Sequence, residues 1–220
     1  MVDNQKQLKR NLYDASIRPG SFIYESFFLI ARLASLLKLL RPNTKMHYIC
    51  RDNWIFILTP LAGSSSLRSL ASDVQVHNLL SCEKPKCCSL TNDSVCFVLD
   101  RNYEDRLTSF YNKKVRNPTS LSKARLLATC ESLTWRTTPQ EFVTWVRGCI
   151  DLVHKDKHLY TIEQITDGFG FNFENVQLLE IARDQQMVEA LLGLKIGDRV
   201  NSTNDVAHFA DPVTIPPLSS

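Results

Sequence analysis

The chain lacks several features that would assign it quickly to a common class. It has no uninterrupted apolar run long enough to span a bilayer, because its most apolar early segment, Phe22 to Leu40, is broken by Glu25, Arg32 and Lys38. The opening MVDNQKQLKRNLYD is polar and does not read as a secretory leader. The seven cysteines (50, 82, 87, 88, 96, 130 and 149) show no paired C-x-x-C spacing, and Cys82, Cys87 and Cys88 do not form a zinc pattern. With an odd count and no leader, the expectation is reduced thiols in a cytoplasmic protein. The triphosphatase pattern G-x-x-x-x-G-K-[ST] is absent, and no clear Mg²⁺ partner stands elsewhere, so ATP or GTP chemistry is not expected. No internal repeat is visible. Lysines and arginines are scattered, and a net charge of +3 calls for no nucleic acid.

What is present describes an ordinary globular chain. Its 220 residues, 44% hydrophobic and 22% charged, suit a single domain with a full core. Within it, 53–205 reads as the core, 1–50 as an N-terminal helical extension and 206–220 as a proline-bearing tail. Ser21 is placed to cap a helix running to about Leu40, with apolar residues at helical spacing. That helix, 22–40, packs on the domain or offers a surface for a homodimer or other contact.

Two apolar runs of five read as strands buried on both faces: Trp54 to Leu58 and Val95 to Leu99. Shorter strands are expected at His47 to Cys50 and Val74 to Leu80. Helices are expected after Asp100-Arg101-Asn102, from Asn117-Pro118-Thr119-Ser120 to about Leu133, from the capped start Thr138-Pro139-Gln140-Glu141, and from Val176 to Leu192. Tyr160 to Ile165 is ambiguous between strand and turn.

The chemistry concentrates in two strand–helix units. After Trp54–Leu58 comes Thr59-Pro60-Leu61-Ala62-Gly63-Ser64-Ser65-Ser66, then Leu67-Arg68. A small-residue loop between a strand and a helix presents backbone N–H groups to an anion. After Val95–Leu99, Arg101 stands at the strand's end and Ser109 eight positions later, about one and a half turns into the helix. In an open α/β sheet, ligands bind beyond the carboxyl ends of the strands. An arginine fork and a hydroxyl there make an anion clamp.

Set side by side, these stretches resemble the carbohydrate branch of the sulfotransferases that use 3′-phosphoadenosine 5′-phosphosulfate (PAPS). That family's first loop reads roughly P-K-T-G-G-T-S-L, where this chain has Pro60-Leu61-Ala62-Gly63-Ser64-Ser65-Ser66-Leu67. Its second motif, R-[DN]-P-x-x-R-x-x-S-x-Y, is met by Arg101-Asn102-Tyr103-Glu104-Asp105-Arg106-Leu107-Thr108-Ser109-Phe110-Tyr111, with only the proline changed, to Tyr103. Phe173-Glu174-Asn175-Val176 resembles its F-E-N-L segment. Leu191-Leu192-Gly193-Leu194 with Val200-Asn201-Ser202 resembles its L-G-L…V-N-x-S ending.

The resemblance implies a P-loop-like, three-layer α/β fold with a central parallel sheet flanked by helices. It implies PAPS as co-substrate, with no metal. Arg101 and Ser109 would hold the 3′-phosphate, and the loop 61–67 the 5′-phosphosulfate, for transfer to a hydroxyl of a carbohydrate or other small acceptor. His77, in the strand after the loop helix, is the favoured base, ahead of Asp73, Glu83 and His158. The family's loop lysine is replaced by Leu61, which removes a charge worth about 10²–10³ in rate at such sites. Arg106 or Arg68 is the expected substitute. The alternative is a sulfotransferase-like protein that binds PAPS or its bisphosphate product without catalysis.

Overall fold

The structure, a computed structural model, describes residues 17–37, 39–40, 44–51, 53–60, 62, 67–68, 70–81, 85, 94–130, 132–149, 156–172, 176–196 and 213–218. The chain packs as two compact units. One comprises Asn43–Arg106 and Lys157–Asp205; the other comprises Met1–Pro42, Leu107–Asp156 and Val206–Ser220.

The first of these units is a mixed α/β body. Its strands are β1 (Lys45–Arg51), β2 (Trp54–Leu58), β3 (Gln75–Asn78), β4 (Val95–Leu99) and β5 (Val176–Leu179). They form one sheet in the order β3-β1-β2-β4-β5. The runs expected at 54–58 and 95–99 are β2 and β4, parallel to each other, with β5 parallel to β4. The sheet is not wholly parallel, however. β1 runs antiparallel to both β2 and β3. Only Asp52 and Asn53 separate β1 from β2, and so short a link permits only a hairpin.

The register sorts the side chains into two faces. Ile49, Phe56, Leu58, Leu99 and Leu179 pack with Leu67 and with Ile181, Val188 and Leu192 of a helix, Ile181–Leu192. The opposite face carries Met46, Tyr48, Ile55, Ile57, Cys96 and Val98, which are also buried. Phe169 meets Tyr48 edge-on on that side, ring centres 5.5 Å apart. Apolar residues on both faces explain why β2 and β4 read as continuous apolar runs.

The helix expected at 176–192 is thus two elements. Val176, Gln177, Leu178 and Leu179 are a strand, Glu180 breaks it, and the helix begins at Ile181. Gly193 ends that helix at φ 65, a left-handed cap suited to glycine. Arg51 donates to its last carbonyls, Leu191 O at 3.4 Å and Leu192 O at 3.1 Å, and grips Asp73 through Nε at 2.6 Å and Nη2 at 3.1 Å. The ambiguous stretch at 160–165 resolves into a helix, Ile162–Gly168, whose start is closed by a capping box between Thr161 and Gln164.

In the other unit, α1 (Phe22–Leu36) is capped by Ser21 as expected. Following β4 in the chain, α2 (Tyr103–Phe110) continues directly as a π-helical stretch, Tyr111–Arg116. α3 (Leu121–Thr129) starts at the Ser120 cap, and α4 (Pro139–Gly148) at the Thr138–Glu141 capping box. With these labels, Ile162–Gly168 is α5 and Ile181–Leu192 is α6.

α1 packs on α3. Arg32 donates to the carbonyls of Ala128, Cys130 and Leu133 at 3.3, 2.9 and 2.6 Å, closing the carboxyl end of α3. The outward side of α1 is apolar and open: Phe22 is 86% exposed and Leu37 69%, with Ile23, Leu29, Ile30, Leu33 and Leu36 beside them. Among the described residues no helix is long and apolar enough to cross a membrane. The described part of the tail is held by Asn112, which exchanges hydrogen bonds with Val213 at 2.7 and 2.9 Å, and by Arg147, which donates to Pro217 O and Leu218 O.

Among the described residues, the expectation of reduced cysteines fails at Cys50. Cys50, on β1, is disulfide-bonded, while Cys96, Cys130 and Cys149 stand outside any disulfide.

Candidate functional site

The candidate site lies in the unit that holds the sheet, around the carboxyl ends of β2 and β4. β2 delivers the chain into the small-residue loop at Thr59 and Pro60, both buried. Ala62 and Leu67 are buried with the core, and Leu67 begins a helical turn in which Ala71 N–H donates to Leu67 O at 3.0 Å. The expected phosphate-holding residues Leu61, Gly63, Ser64, Ser65 and Ser66 lie outside the described residues, as does Glu83.

At the end of β4, Asp100 N–H donates to Leu179 O at 2.8 Å, so β4 and β5 finish side by side. Arg101 follows and is exposed. Asn102 then caps α2: its side-chain oxygen accepts from Glu104 N–H at 2.9 Å and Asp105 N–H at 3.3 Å. Ser109 sits half-buried on α2, in the part of the helix that belongs to the other unit.

Arg106 is the unusual residue. It is fully buried, and its Nε, Nη1 and Nη2 make no hydrogen bond. Its guanidinium lies over the Tyr103 ring, 5.2 Å from the centroid. Burial pushes its pKa down, while Asp100 and Tyr103 act in the opposite direction. An arginine stays protonated in proteins, so this is a desolvated cation with three donor nitrogens unused, at the mouth of a parallel strand. Burying an unpaired charge is costly unless an anion joins it.

The base candidates separate clearly by position. His77 pairs with Met46 in the ladder, and His47 is opposite Val76. The two histidines therefore occupy opposite faces of the sheet. His77 shares its face with Tyr48 and Phe169. It is buried, its ring centre lies 4.7 Å from that of Phe169, and its Nε2 is 2.9 Å from Gly168 O. A carbonyl only accepts, so Nε2 carries the hydrogen in this contact. Asp73 is taken up by Arg51, whose hydrogen bonds hold its carboxyl below the usual carboxylate range. His158 is half-buried on a single 3-10 turn, Lys157–Leu159.

His47 lies on the other face, the one that carries Leu67 and α6, and it stands opposite Leu58, the last residue of β2. Nη1 of Arg68 is 3.4 Å from its Nε2. Guanidinium only donates, so that imidazole nitrogen accepts. Lys157 is buried, with Nζ donating to Lys45 O at 2.5 Å, two residues from His47. Burial, then Arg68, then Lys157 push the His47 imidazole down to about 4. Sequence reasoning anticipated Arg68 but missed His47 and Lys157. Neither belongs to a recognisable spacing, and only the hairpin pairing and the return of the chain at Lys157 bring them together at β1.

Among the described residues, no three His, Cys, Asp or Glu side chains gather as metal ligands. No family model, curated protein or solved structure matches the chain.

Proposed function

We propose that the chain is a sulfotransferase-like protein that binds PAPS and transfers its sulfuryl group to a hydroxyl of a carbohydrate or other small acceptor. The fold in this reading is a P-loop-like three-layer arrangement. The observation that carries it is Arg106: a buried guanidinium whose three nitrogens make no hydrogen bond, inside the Arg101–Tyr111 motif and beside the end of β4, calls for an anionic ligand. Arg101 and Ser109 are assigned to the 3′-phosphate by the resemblance, and the loop 61–67 to the phosphosulfate. In the transfer, the acceptor oxygen forms a bond to sulfur as the bond from sulfur to the bridging phosphate oxygen breaks. The acceptor proton goes to a base, and adenosine 3′,5′-bisphosphate leaves.

Isothermal titration with adenosine 3′,5′-bisphosphate tests the reading. Saturable binding is expected, and Arg101→Ala should weaken it by about 1.5–3 kcal/mol, the worth of a charge-assisted contact. No binding by the wild-type chain would refute it.

A second reading is binding without catalysis. Leu61, in place of the loop lysine, favours it. Sulfate transfer from labelled PAPS separates the two, and Leu61→Lys should raise any transfer rate. The Cys50 disulfide favours an oxidising compartment over the cytoplasm expected from the sequence.

A further inference from the structure

We propose that the exposed apolar face of α1 is the docking surface for a second copy of this chain, with the two α1 helices antiparallel and a two-fold axis passing beside Leu29 and Ile30. The pairing does not depend on which ligand the sheet-bearing unit binds.

The two sides of α1 differ in what they touch. The inner side is engaged within its own unit: Tyr24 and Ala31 are buried, Arg32 donates to the carbonyls at the end of α3, and Glu25 accepts from Trp135 Nε1 at 2.8 Å. On the other side, seven large apolar residues between Phe22 and Leu37 are exposed by between 52% and 86%. They leave on the order of 800 Å² of apolar surface open, more than the roughly 300–600 Å² of a monomer's largest patch and about what each partner contributes to a stable interface. Phe22 and Ile23, Leu29 and Ile30, and Leu36 and Leu37 recur every seven residues, with Leu33 between the last two pairs. That spacing keeps an apolar stripe turned towards a partner helix along its whole length.

The order of the stripe identifies the occupant, because it reads nearly the same from either end. In an antiparallel pair with its two-fold beside Leu29 and Ile30, Leu29 faces the partner's Ile30. Phe22 then faces the partner's Leu37, and Ile23 the partner's Leu36. Leu33 falls opposite the partner's Ser26, a small residue that leaves room for it. A surface complementary to itself is what a closed two-fold dimer requires, and an unrelated partner imposes no such order. A lipid surface does not fit the charge. Helices that lie on membranes carry lysine and arginine along the polar flank. From Phe22 to Leu36 the only cation is Arg32, which is turned to α3, and the exposed charge is Glu25, which anionic lipid repels.

Sedimentation equilibrium of the full chain tests the pairing. The wild type should be a dimer at micromolar concentration. Ile30→Glu sets carboxylates together at the axis and should weaken association about 100-fold or more, with helix content by circular dichroism unchanged. Phe22→Glu and Leu37→Lys, each of which suits its end of the helix, should also weaken it singly. Mixing those two variants in equal amounts should restore a dimer, because antiparallel pairing sets the new carboxylate against the new ammonium; parallel pairing does not. A wild type that stays monomeric at about 100 µM overturns the proposal, whether or not it then binds vesicles of phosphatidylserine and phosphatidylcholine. A dimer that Ile30→Glu leaves intact has its interface elsewhere, and a dimer weakened by the single variants but not restored by the mixture lacks the antiparallel order; either result overturns it as well.

Discussion

The Arg106 guanidinium lies 5.2 Å from the centre of the Tyr103 ring, and Tyr103 in turn donates its hydroxyl to Leu159 O at 2.8 Å. Tyr103 is the one position where the chain departs from the second sulfotransferase motif, which has proline there. The departure gives the buried cation an aromatic face, and it ties the start of α2 to the turn that carries Lys157.

Arg106 and Tyr103 should therefore differ in what they cost when replaced. Arg106→Met removes a buried unpaired charge in favour of a flexible apolar side chain. The ligand-free protein should be as stable as the wild type or more so in chemical denaturation, while bisphosphate binding falls. Tyr103→Phe keeps the ring and loses the bond to Leu159, for about 1 kcal/mol. Tyr103→Ala should cost about 3–5 kcal/mol. A strong loss of stability in Arg106→Met would mean that the guanidinium serves the fold rather than a ligand.

His77 and Gly168 make a second testable pair. Gly168 is packed so closely that an added Cβ would stand 2.9 Å from Leu79 Cδ2, 3.2 Å from its Cβ and 3.3 Å from its carbonyl oxygen. Gly168→Ala should destabilise by about 1–3 kcal/mol. His77→Gln retains an N–H for Gly168 O and should stay within about 1 kcal/mol of wild type, whereas His77→Leu leaves that carbonyl without its partner and should cost about 1–3 kcal/mol. Sulfate transfer measured in His77→Gln then separates roles: a base is lost in this variant, a packing residue is not.

The pH dependence of stability should carry the mark of His47. Its ordinary value is 6.5, and in the fold it is held at about 4. Between those values the unfolded chain takes up a proton that the folded chain refuses. The His47 contribution is thus at its full value above about pH 6.5, declines as pH falls towards 4, and is flat below. Guanidinium chloride midpoints measured from pH 7 to pH 4 should fall less steeply in His47→Gln than in wild type. Equal slopes would show that His47 titrates normally in the fold.

The cysteines should divide under chemical probing. Burial pushes the Cys96 thiol up to about 12, so it should resist iodoacetamide at pH 8 in the native protein and react only on unfolding. The Cys50 disulfide should make the protein sensitive to reductant. Cys50→Ser, or dithiothreitol, should lower stability by about 2–4 kcal/mol by denaturant titration. Unchanged stability under reduction would contradict the bond.

Much of this fold was legible where physics is local. The buried strands Trp54–Leu58 and Val95–Leu99 were apolar on both faces and bounded by polar residues, and the Ser21 and Thr138 caps announced their helices. What failed depended on partners far away in sequence. Val176–Leu179 is a strand because β4 offers it an edge, and its four residues merged by periodicity with the helix that follows. β1 is antiparallel because of a link of two residues, while a family pattern of parallel strands suggested otherwise. For the site, Arg101 and Arg106 stood in a motif with fixed spacing. His47 stood in none: its importance arises from a register, with Leu58 on one side and Val76 on the other.

The tail contacts have a consequence for the order of folding. Asn112 is bonded to Val213, 101 positions away, and Arg147 to Pro217 and Leu218, 70 and 71 positions away. The unit they belong to is assembled from three stretches of chain, with the whole of 157–205 intervening before the last. Closing so long a loop costs entropy before its contacts give anything back, so the helices, whose bonds are local, form ahead of the clasp that joins them to 213–218.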